Sequence, residues 1–513
     1  MHTNIGAFLS KRARLNAKLE ALVEVERGRR FTYGQLNLRC NRIANALRAR
    51  GVAKGTRVAL LMMNGVEYLE SYLACAKLGA VMVPLNWRLV PDELEFILKD
   101  SGAVALIFDP EFDAAALALR GRDLGVRHWI RVGEPAAHHG WIERYEQITE
   151  SAPDSEPEIG ASGGDLLFIM YTSGTTGLPK GAMHSHDTTA WASLTVNMTA
   201  DMRFKDRWLQ MLPLYHVGAL TPANAMIHRG GTLVLMRTFD PGRAFEAIEQ
   251  ERCTIGLAVP AMLQAMWASP KRSQCDLSSL RWLMCGAAPV PVPVIEQYSG
   301  IGVGLLQVYG LTESCGPACL IGSDEAITKA GSTGPAFFHT DVRVVDEQDR
   351  DVAPGGIGEV IVRGPHVMVG YWNQPDASAE TLRGGWLRTG DLASVDAEGF
   401  VYVRDRKKDM IISGGENIYP AELESVLVGH SGIKDCAVIG VPSAKWGEAP
   451  AAIVVLKEGA VATQQEIIEH CAAKLARFKL PRVVLFVAEI PRNPTGKVLK
   501  RILRERHPGP APE

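Results

Sequence analysis

LLFIMYTSGTTGLPKG (166–181) opens as an apolar run and ends in a loop of glycine, threonine and serine that is followed by a lysine. The run suits a strand buried on both faces, the kind found in helix-covered parallel sheets. In the loop, Gly174 and Gly177 relieve the steric limits on a tight turn, and backbone N–H groups with the hydroxyls of Thr172, Ser173, Thr175 and Thr176 can surround phosphate oxygens. Lys180 adds a mobile positive charge. The string is not a Walker A loop, because Pro179 precedes the lysine and Gly181 follows it. A plain surface turn is the alternative, but the length and specificity of the string favour phosphate binding.

Similar apolar runs recur on both sides: VALLMM (58–63), AVMVPLN (80–86), AVALIF (103–108), GTLVLM (231–236), TIGLAV (254–259), LRWLMC (280–285) and LLQVYG (305–310). Helical patterns lie between them, and this alternation indicates an α/β protein with parallel sheets covered by helices. One such helix follows a capping box made by Thr32 and Gln35, with Leu36, Cys40, Ile43 and Leu47 on one face and Gly51 at its end. After about residue 330 the texture changes to short strands with glycine turns (DVRVVDEQ, GEVIVRG, GFVYVRD), a small β-subdomain. The charged run RDRKKDM (404–410) reads as a linker. DCAVIGVP, APAAIVVL and VVLFVAEIP, separated by two helical patterns, then predict a compact α+β domain of about 100 residues. The tail PGPAPE (508–513) is expected to lack fixed structure, and no internal repeat is visible.

At 513 residues and 47% apolar composition, the chain favours several domains over one. Lys plus Arg total 55 against 57 for Asp plus Glu, which provides no global field for gripping nucleic acid. The nine cysteines lack the paired spacing of a zinc or redox site, so they read as reduced core residues. The N-terminal stretch has basic residues without an apolar signal core, and no segment approaches the roughly 20 apolar residues of a membrane span. A cytoplasmic protein without an integral membrane segment is expected.

Three more elements carry chemistry. VYGLTES (308–314) follows a strand, so Tyr309, Thr312 and Glu313 fall on a loop at its C-terminal end, where open α/β sheets bind ligands. Alone it also reads as a helix start capped by Thr312 or Glu313. Beside a phosphate loop, Glu313 becomes a candidate magnesium anchor, because that ion keeps most of its waters and needs few carboxylates. RTGD (388–391) and Arg406 bracket the strand GFVYVRD, and Asp391 and Arg406 offer an acceptor and a donor to a ribose diol. In IPRNPTGKVLK (490–500), the Thr495-Gly496 turn projects Lys497, which on its own is also consistent with an exposed surface lysine.

In this order, over nearly the whole chain, these strings resemble those of the adenylate-forming superfamily, which contains acyl-CoA and aryl-CoA ligases. The resemblance implies a large N-terminal domain (1–404) of two sheets plus a small β-barrel, a hinge (405–410) and a mobile C-terminal domain (411–513). It implies ATP, Mg2+ and coenzyme A as co-substrates and cofactor. Ser173 to Lys180 would lie on the phosphates. Tyr309, Gly310 and the CGAAP turn (Gly286, Ala287, Ala288, Pro289) would surround the adenine, with Thr312 on the α-phosphate and Glu313 on magnesium. Asp391 and Arg406 would hold the ribose, and Lys497 would reach both the carboxylate and the α-phosphate. Lys408 takes the hinge position, where many relatives have aspartate. Rotation there would present Gly414, Gly415, Glu416 and Trp446 to the thiol donor.

LPLYHVGAL (212–220) resembles the segment that lines the acyl pocket, with His216 near the carboxylate; a core histidine satisfied by backbone is the alternative. Val217, Gly218, Leu220 and Val259 are small or aliphatic and suit an alkyl chain. The favoured reading is an ATP-dependent acyl-CoA synthetase for medium- to very-long-chain fatty acids. An aryl-CoA ligase for cinnamate- or benzoate-type acids is the alternative, and a non-catalytic nucleotide sensor the remote one. No acidic residue follows His216 to meet an amino group, which disfavours amino-acid activation. KRARLNAK (11–18) concentrates Lys11, Arg12, Arg14 and Lys18, which suggests peripheral contact with the inner face of a membrane, weighed against an ordinary solvated helix.

Overall fold

In a computed structural model, residues 3–134, 139–172, 178–286, 290–413, 416–492 and 498–509 are described. Ser173 to Gly177, Ala287 to Pro289, Gly414, Gly415, Lys497 and the end of the PGPAPE tail lie outside them. The chain divides into two compact units, one of residues 1–342 with 362–388, the other of 343–361 with 389–513.

The first unit holds two eight-stranded sheets. In spatial order, one contains Cys319–Ile321, Gly304–Tyr309, Trp282–Gly286, Ile255–Ala258, Arg207–Gln210, Thr232–Leu235, Glu20–Glu24 and Arg30–Thr32. The other contains Gly370–Tyr371, Lys180–Ser185, Leu166–Thr172, Val81–Pro84, Arg57–Leu61, Ala105–Phe108, His128–Arg131 and Ile142–Arg144. Each of the eight apolar runs forms a strand parallel to at least one neighbour. Burial on both faces explains why these runs are continuous rather than alternating. Val58 and Leu60 face a core shared with Leu233 and Leu235 of the other sheet, while Ala59 and Leu61 face a separate core behind their own. Arg207–Gln210 is a central strand that apolar patterning does not reveal. Gln210 is buried there because its amide accepts from Trp208 Nε1 (3.0 Å) and donates to the Leu212 carbonyl (2.7 Å).

The helix Tyr33–Ala49 begins at the expected capping box: the Gln35 amide N–H donates to Thr32 Oγ1, and the Thr32 N–H donates to Gln35 Oε1. Such reciprocal caps contribute about 1 kcal/mol. Leu36, Cys40, Ile43 and Leu47 are all buried, and Gly51 takes φ +80° just past the end. The next helix, Val66–Leu78, is buried along its whole length. Its fully buried Lys77 ammonium lies 2.6–2.8 Å from Ser10 Oγ, Asn37 Oδ1, Asn41 Oδ1 and Glu156 Oε1, which share its three N–H donors and offset the cost of burying a charge. Eight of the nine cysteines are buried, and all are free thiols.

Most residues of a four-stranded sheet (Asp341–Val345, Ile357–Arg363, Leu387–Val395, Val401–Arg406) belong to the second unit, in the stretch where short strands with glycine turns are expected. The run RDRKKDM is only partly a linker: Arg404 to Arg406 complete the last strand, and a turn follows at Lys407 to Asp409. Ile433–Ser443 and Gly447–Leu456 form a long hairpin joined directly, with Val483–Phe486 parallel to its second strand. The two helical patterns therefore do not alternate with the three strands as expected. Pro420–Val428 precedes the hairpin and Gln464–Ala472 follows it, because the link between the two strands is only the three-residue turn Ala444 to Trp446. Both helices cover one face of the sheet, and Leu503 of Lys500–Arg506 packs on the other.

Candidate active site

The strand Leu166–Thr172 returns as the antiparallel strand Lys180–Ser185, with Thr172 paired to Lys180. The candidate phosphate loop therefore joins two strands, whereas a Walker A loop runs into a helix. Gly181 is required by space: a Cβ there would lie 2.6 Å from Ile169 Cγ2. Lys180 begins the returning strand, its Nζ 5.2 Å from the centre of the Tyr371 ring. The Tyr371 hydroxyl donates to Glu313 Oε1 at 2.9 Å. Lys180 and Glu313, separated by more than a hundred residues, thus share one aromatic neighbour. Tyr371 carries no sequence motif of its own. It is placed by the two-residue strand Gly370–Tyr371 pairing with Ala182 and Met183.

Thr312–Ser314 is a single 3-10 turn at the C-terminal end of the strand Gly304–Tyr309. The turn is closed by Ser314, whose Oγ accepts from the Leu311 N–H at 3.2 Å, so neither Thr312 nor Glu313 is spent as a cap. Cys315 follows in the left-handed region at φ +55° and ends the turn. Gly286 is paired with Val308, so the CGAAP turn and Tyr309 leave the same end of adjacent parallel strands. That end is where a ligand of such a sheet binds.

In the second unit, Asp391 and Arg406 face each other across an antiparallel pair. Arg406 Nε lies 2.5 Å from Asp391 Oδ1, and the carboxylate side chain is only 6% exposed. The Asp391 N–H donates to Thr389 Oγ1 (3.1 Å), which itself donates to the Val360 carbonyl (2.7 Å). The acceptor and donor expected for a ribose are therefore one prearranged pair. Lys408 is in the exposed turn after that strand. Ser413 pairs with both Glu416 and Gly447, which brings Glu416 and the turn holding Trp446 to the same end of the C-terminal sheet. Lys445 Nζ and Arg482 Cζ lie 5.0 and 5.8 Å from the Trp446 ring.

His216 is the N-cap residue of the helix Val217–Arg229. Its Nε2 and the Tyr215 hydroxyl are buried without a hydrogen-bond partner among the described residues. Burial, helped by the Arg88 charge, lowers the His216 imidazole to about 4, so it is neutral at physiological pH. The backbone-satisfied core histidine is thus not what is seen at Nε2. Sequence patterning missed Trp87, whose ring meets Tyr215 edge-on at 6.0 Å beside His216. Of the acyl-pocket candidates, Leu220 is buried in the core shared by the two sheets, whereas Val259 packs against the core behind one of them. At Gly218 a Cβ would meet only Leu212 Cδ1, at 3.9 Å, which leaves room there.

One carboxylate held by a tyrosine suits magnesium, which takes few protein ligands beside phosphate and water. Among the described residues no group of three or more His, Cys, Asp or Glu forms an all-protein metal site. Glu313 is the residue that would hold the ion, which when bound neutralises triphosphate charge.

Residues 9–372 match the AMP-binding enzyme family, and residues 422–497 match the AMP-binding enzyme C-terminal domain. The chain is 44% identical over 512 residues to the long-chain-fatty-acid–CoA ligase FadD13 of Mycobacterium tuberculosis, covering 99% of this chain and 100% of that protein. It is 42% identical to a feruloyl-CoA synthase of an Amycolatopsis species, covering 98% and 99%. Among solved structures, the Mycobacterium tuberculosis fatty acyl CoA synthetase superposes with a TM-score of 0.81 at 43% identity over 98% of both chains. The Bacillus subtilis o-succinylbenzoate CoA synthetase, bound to its acyl-adenylate intermediate, gives 0.89 at 30% identity over 99% of both. With a fold, a motif order and a full-length likeness that agree, this chain belongs to the AMP-binding enzyme family, among the adenylate-forming CoA ligases.

Proposed function

We propose that this protein is an AMP-forming acyl-CoA synthetase acting on medium- to very-long-chain fatty acids. In the first half-reaction a carboxylate oxygen attacks the α-phosphorus of ATP and pyrophosphate leaves. In the second, the coenzyme A thiol attacks the acyl carbonyl, loses its proton and releases AMP. The observation that supports this reading is the convergence of Lys180, Tyr371 and Glu313, which brings the lysine after the candidate phosphate loop and the candidate magnesium carboxylate to one tyrosine. A carboxylate and a triphosphate repel, so the chain must bring cations and aligned donors to both. Lys180 serves the phosphates, Thr312 the α-phosphate, and neutral His216 offers Nε2 to the acid. Asp391 and Arg406 hold the ribose, and Lys497 supplies a cation to the attacking carboxylate. Rotation about Lys408 then exchanges Lys497 for Glu416 and Trp446 on the thiol side.

Small residues at Val217, Gly218 and Val259 support an alkyl substrate, which gains about 0.8 kcal/mol per buried methylene. A panel from acetate to very-long-chain acids, with cinnamates and benzoates, is assayed for ATP- and CoA-dependent AMP release. Turnover rising with chain length is expected, and turnover confined to aryl acids would replace this reading with an aryl-CoA ligase.

Among the described residues no helix is long and apolar enough to cross a membrane. Peripheral contact is the finer proposal. Lys11, Arg14 and Lys18 are exposed near the helix Ile5–Leu15, and so are Lys205 and Arg229 nearby, interleaved with Leu15 (62% exposed) and Phe204 (47%). Arg12 is not part of this face, since it donates to the carbonyls of Ile227 and His228. Cosedimentation with anionic vesicles should exceed that with neutral ones and fall with salt. Equal pelleting with both would remove the electrostatic argument.

A further inference from the structure

The turn that carries Thr312 and Glu313 is gripped from outside by three donors, one on each consecutive carbonyl. His184 Nε2 lies 2.8 Å from the Thr312 oxygen, the Met368 N–H donates to the Glu313 oxygen at 2.8 Å, and His366 Nδ1 lies 2.8 Å from the Ser314 oxygen. A carbonyl has no proton to give, so each imidazole must donate, and this assigns opposite tautomers: Nε2–H on His184, Nδ1–H on His366. The remaining nitrogens face Thr188 Oγ1 (3.3 Å) and Thr340 Oγ1 (2.7 Å); the Thr340 hydroxyl can donate to His366, while the single Thr188 proton is shared with the Ser185 carbonyl (3.1 Å). Both imidazoles are fully buried, and burial lowers each to about 4, so both stay neutral. Space for His366 is reserved by Gly364, where a Cβ would come 2.7 Å from His366 Nε2.

The placement is informative. His184 lies four residues beyond Lys180 on the same strand, and His366 lies five residues before Tyr371. One strand therefore carries both the phosphate lysine and a clamp on the carboxylate's turn. The segment 366–371 carries the other clamp and the hydroxyl that orients the Glu313 carboxylate.

We propose that His184 and His366 are positioning residues for the adenylation half-reaction: through N–H donation to the Thr312 and Ser314 carbonyls, they set the turn that presents Thr312 and Glu313 to the nucleotide and its magnesium. This rests on the reading of Thr312 and Glu313 given above. Losing a hydrogen-bonded support behind a metal ligand typically costs roughly 10- to 100-fold.

The test separates the donated proton from ring packing. His184→Gln keeps a donor near Nε2, and His366→Asn keeps one near Nδ1, while His184→Leu and His366→Leu remove both. ATP–pyrophosphate exchange is measured against magnesium concentration, together with the KM for the acid and the melting temperature. The leucine variants should lose about 10-fold or more in exchange rate and need more magnesium for half-maximal rate, with the acid KM within about twofold. The amide variants should recover most of that loss. Equal loss in amide and leucine variants of similar melting temperature would overturn the proposal, as would leucine variants with unchanged rate and magnesium dependence. Glu313→Gln is the control: if its magnesium requirement equals that of the wild type, the reading of Glu313 fails, independently of the clamps.

Discussion

Lys497→Ala is expected to lose acyl-adenylate formation by about two orders of magnitude or more, while thioester formation from supplied acyl-adenylate and coenzyme A largely survives. The cation is needed while one anion attacks another and charge gathers at the α-phosphate. Thioester formation makes no such demand, because its electrophile is an uncharged acyl carbon and its leaving group is AMP. Lys408→Pro should do the reverse, since proline fixes φ and stiffens the turn about which the second step is proposed to rotate. The amides that hold this turn belong to Lys407, Asp409 and Met410, which donate to the carbonyls of Gly390, Arg406 and Arg406, so proline at 408 leaves those bonds in place. Pyrophosphate exchange reports the first half-reaction, and chromatographic thioester formation from acyl-adenylate reports the second. If Lys497→Ala cripples both equally in a folded protein, the two-conformation mechanism is wrong for this enzyme.

The second large effect is expected at Gly310, and its cause is space. A Cβ at Gly310 would lie 1.4 Å from the Gly316 carbonyl oxygen and 2.6 Å from its carbon. Gly310 is not among the glycines with positive φ, so the constraint comes from the close approach of two backbone segments and not from its own dihedral. Tyr309 and Thr312 flank this contact. Relieving it must move the loop that carries Tyr309 and Thr312, the residues proposed for the adenine and the α-phosphate. Gly310→Ala should therefore cost about 4 kcal/mol or more, or else raise the KM for ATP steeply in whatever folded protein remains. Gly302 provides the comparison, with φ +80° and nothing within 4 Å of the place a methyl would take. Gly302→Ala should cost only about 1 kcal/mol, the dihedral penalty alone. Melting temperature and ATP KM check both variants. A Gly310→Ala protein with both values near wild type would show that this loop yields easily and that the contact does not hold the site.

The parallel sheets were legible because strands buried on both faces must be apolar at every position, which leaves a continuous run such as VALLMM. The capping box at Thr32 and Gln35 was legible because its partners are three residues apart. Arg207–Gln210 was not, since a buried glutamine satisfied by Trp208 and the Leu212 carbonyl looks polar in sequence. The order of the C-terminal strands and helices differs from the sequence expectation for a related reason: the turn Ala444 to Trp446 is too short for a helix, yet the strands beside it show the same apolar texture whether they form a hairpin or a crossover.

The chemistry separates in the same way. By itself the sequence pointed to the candidate phosphate loop, the candidate magnesium carboxylate and the candidate ribose pair, since a glycine-rich turn or a carboxylate after a strand is a local arrangement of residue types. Only the tertiary structure decided that Tyr371 holds Glu313 from 58 residues away and that His184 grips Thr312 across 128. It alone showed that Arg12 turns inward to two helix carbonyls and that His216 keeps a buried nitrogen without a partner among the described residues. Histidine, tyrosine and arginine are equally plausible on a surface or in a core. Which one becomes a clamp depends on the partner the fold delivers to it, and that partner leaves no mark within a few residues along the chain.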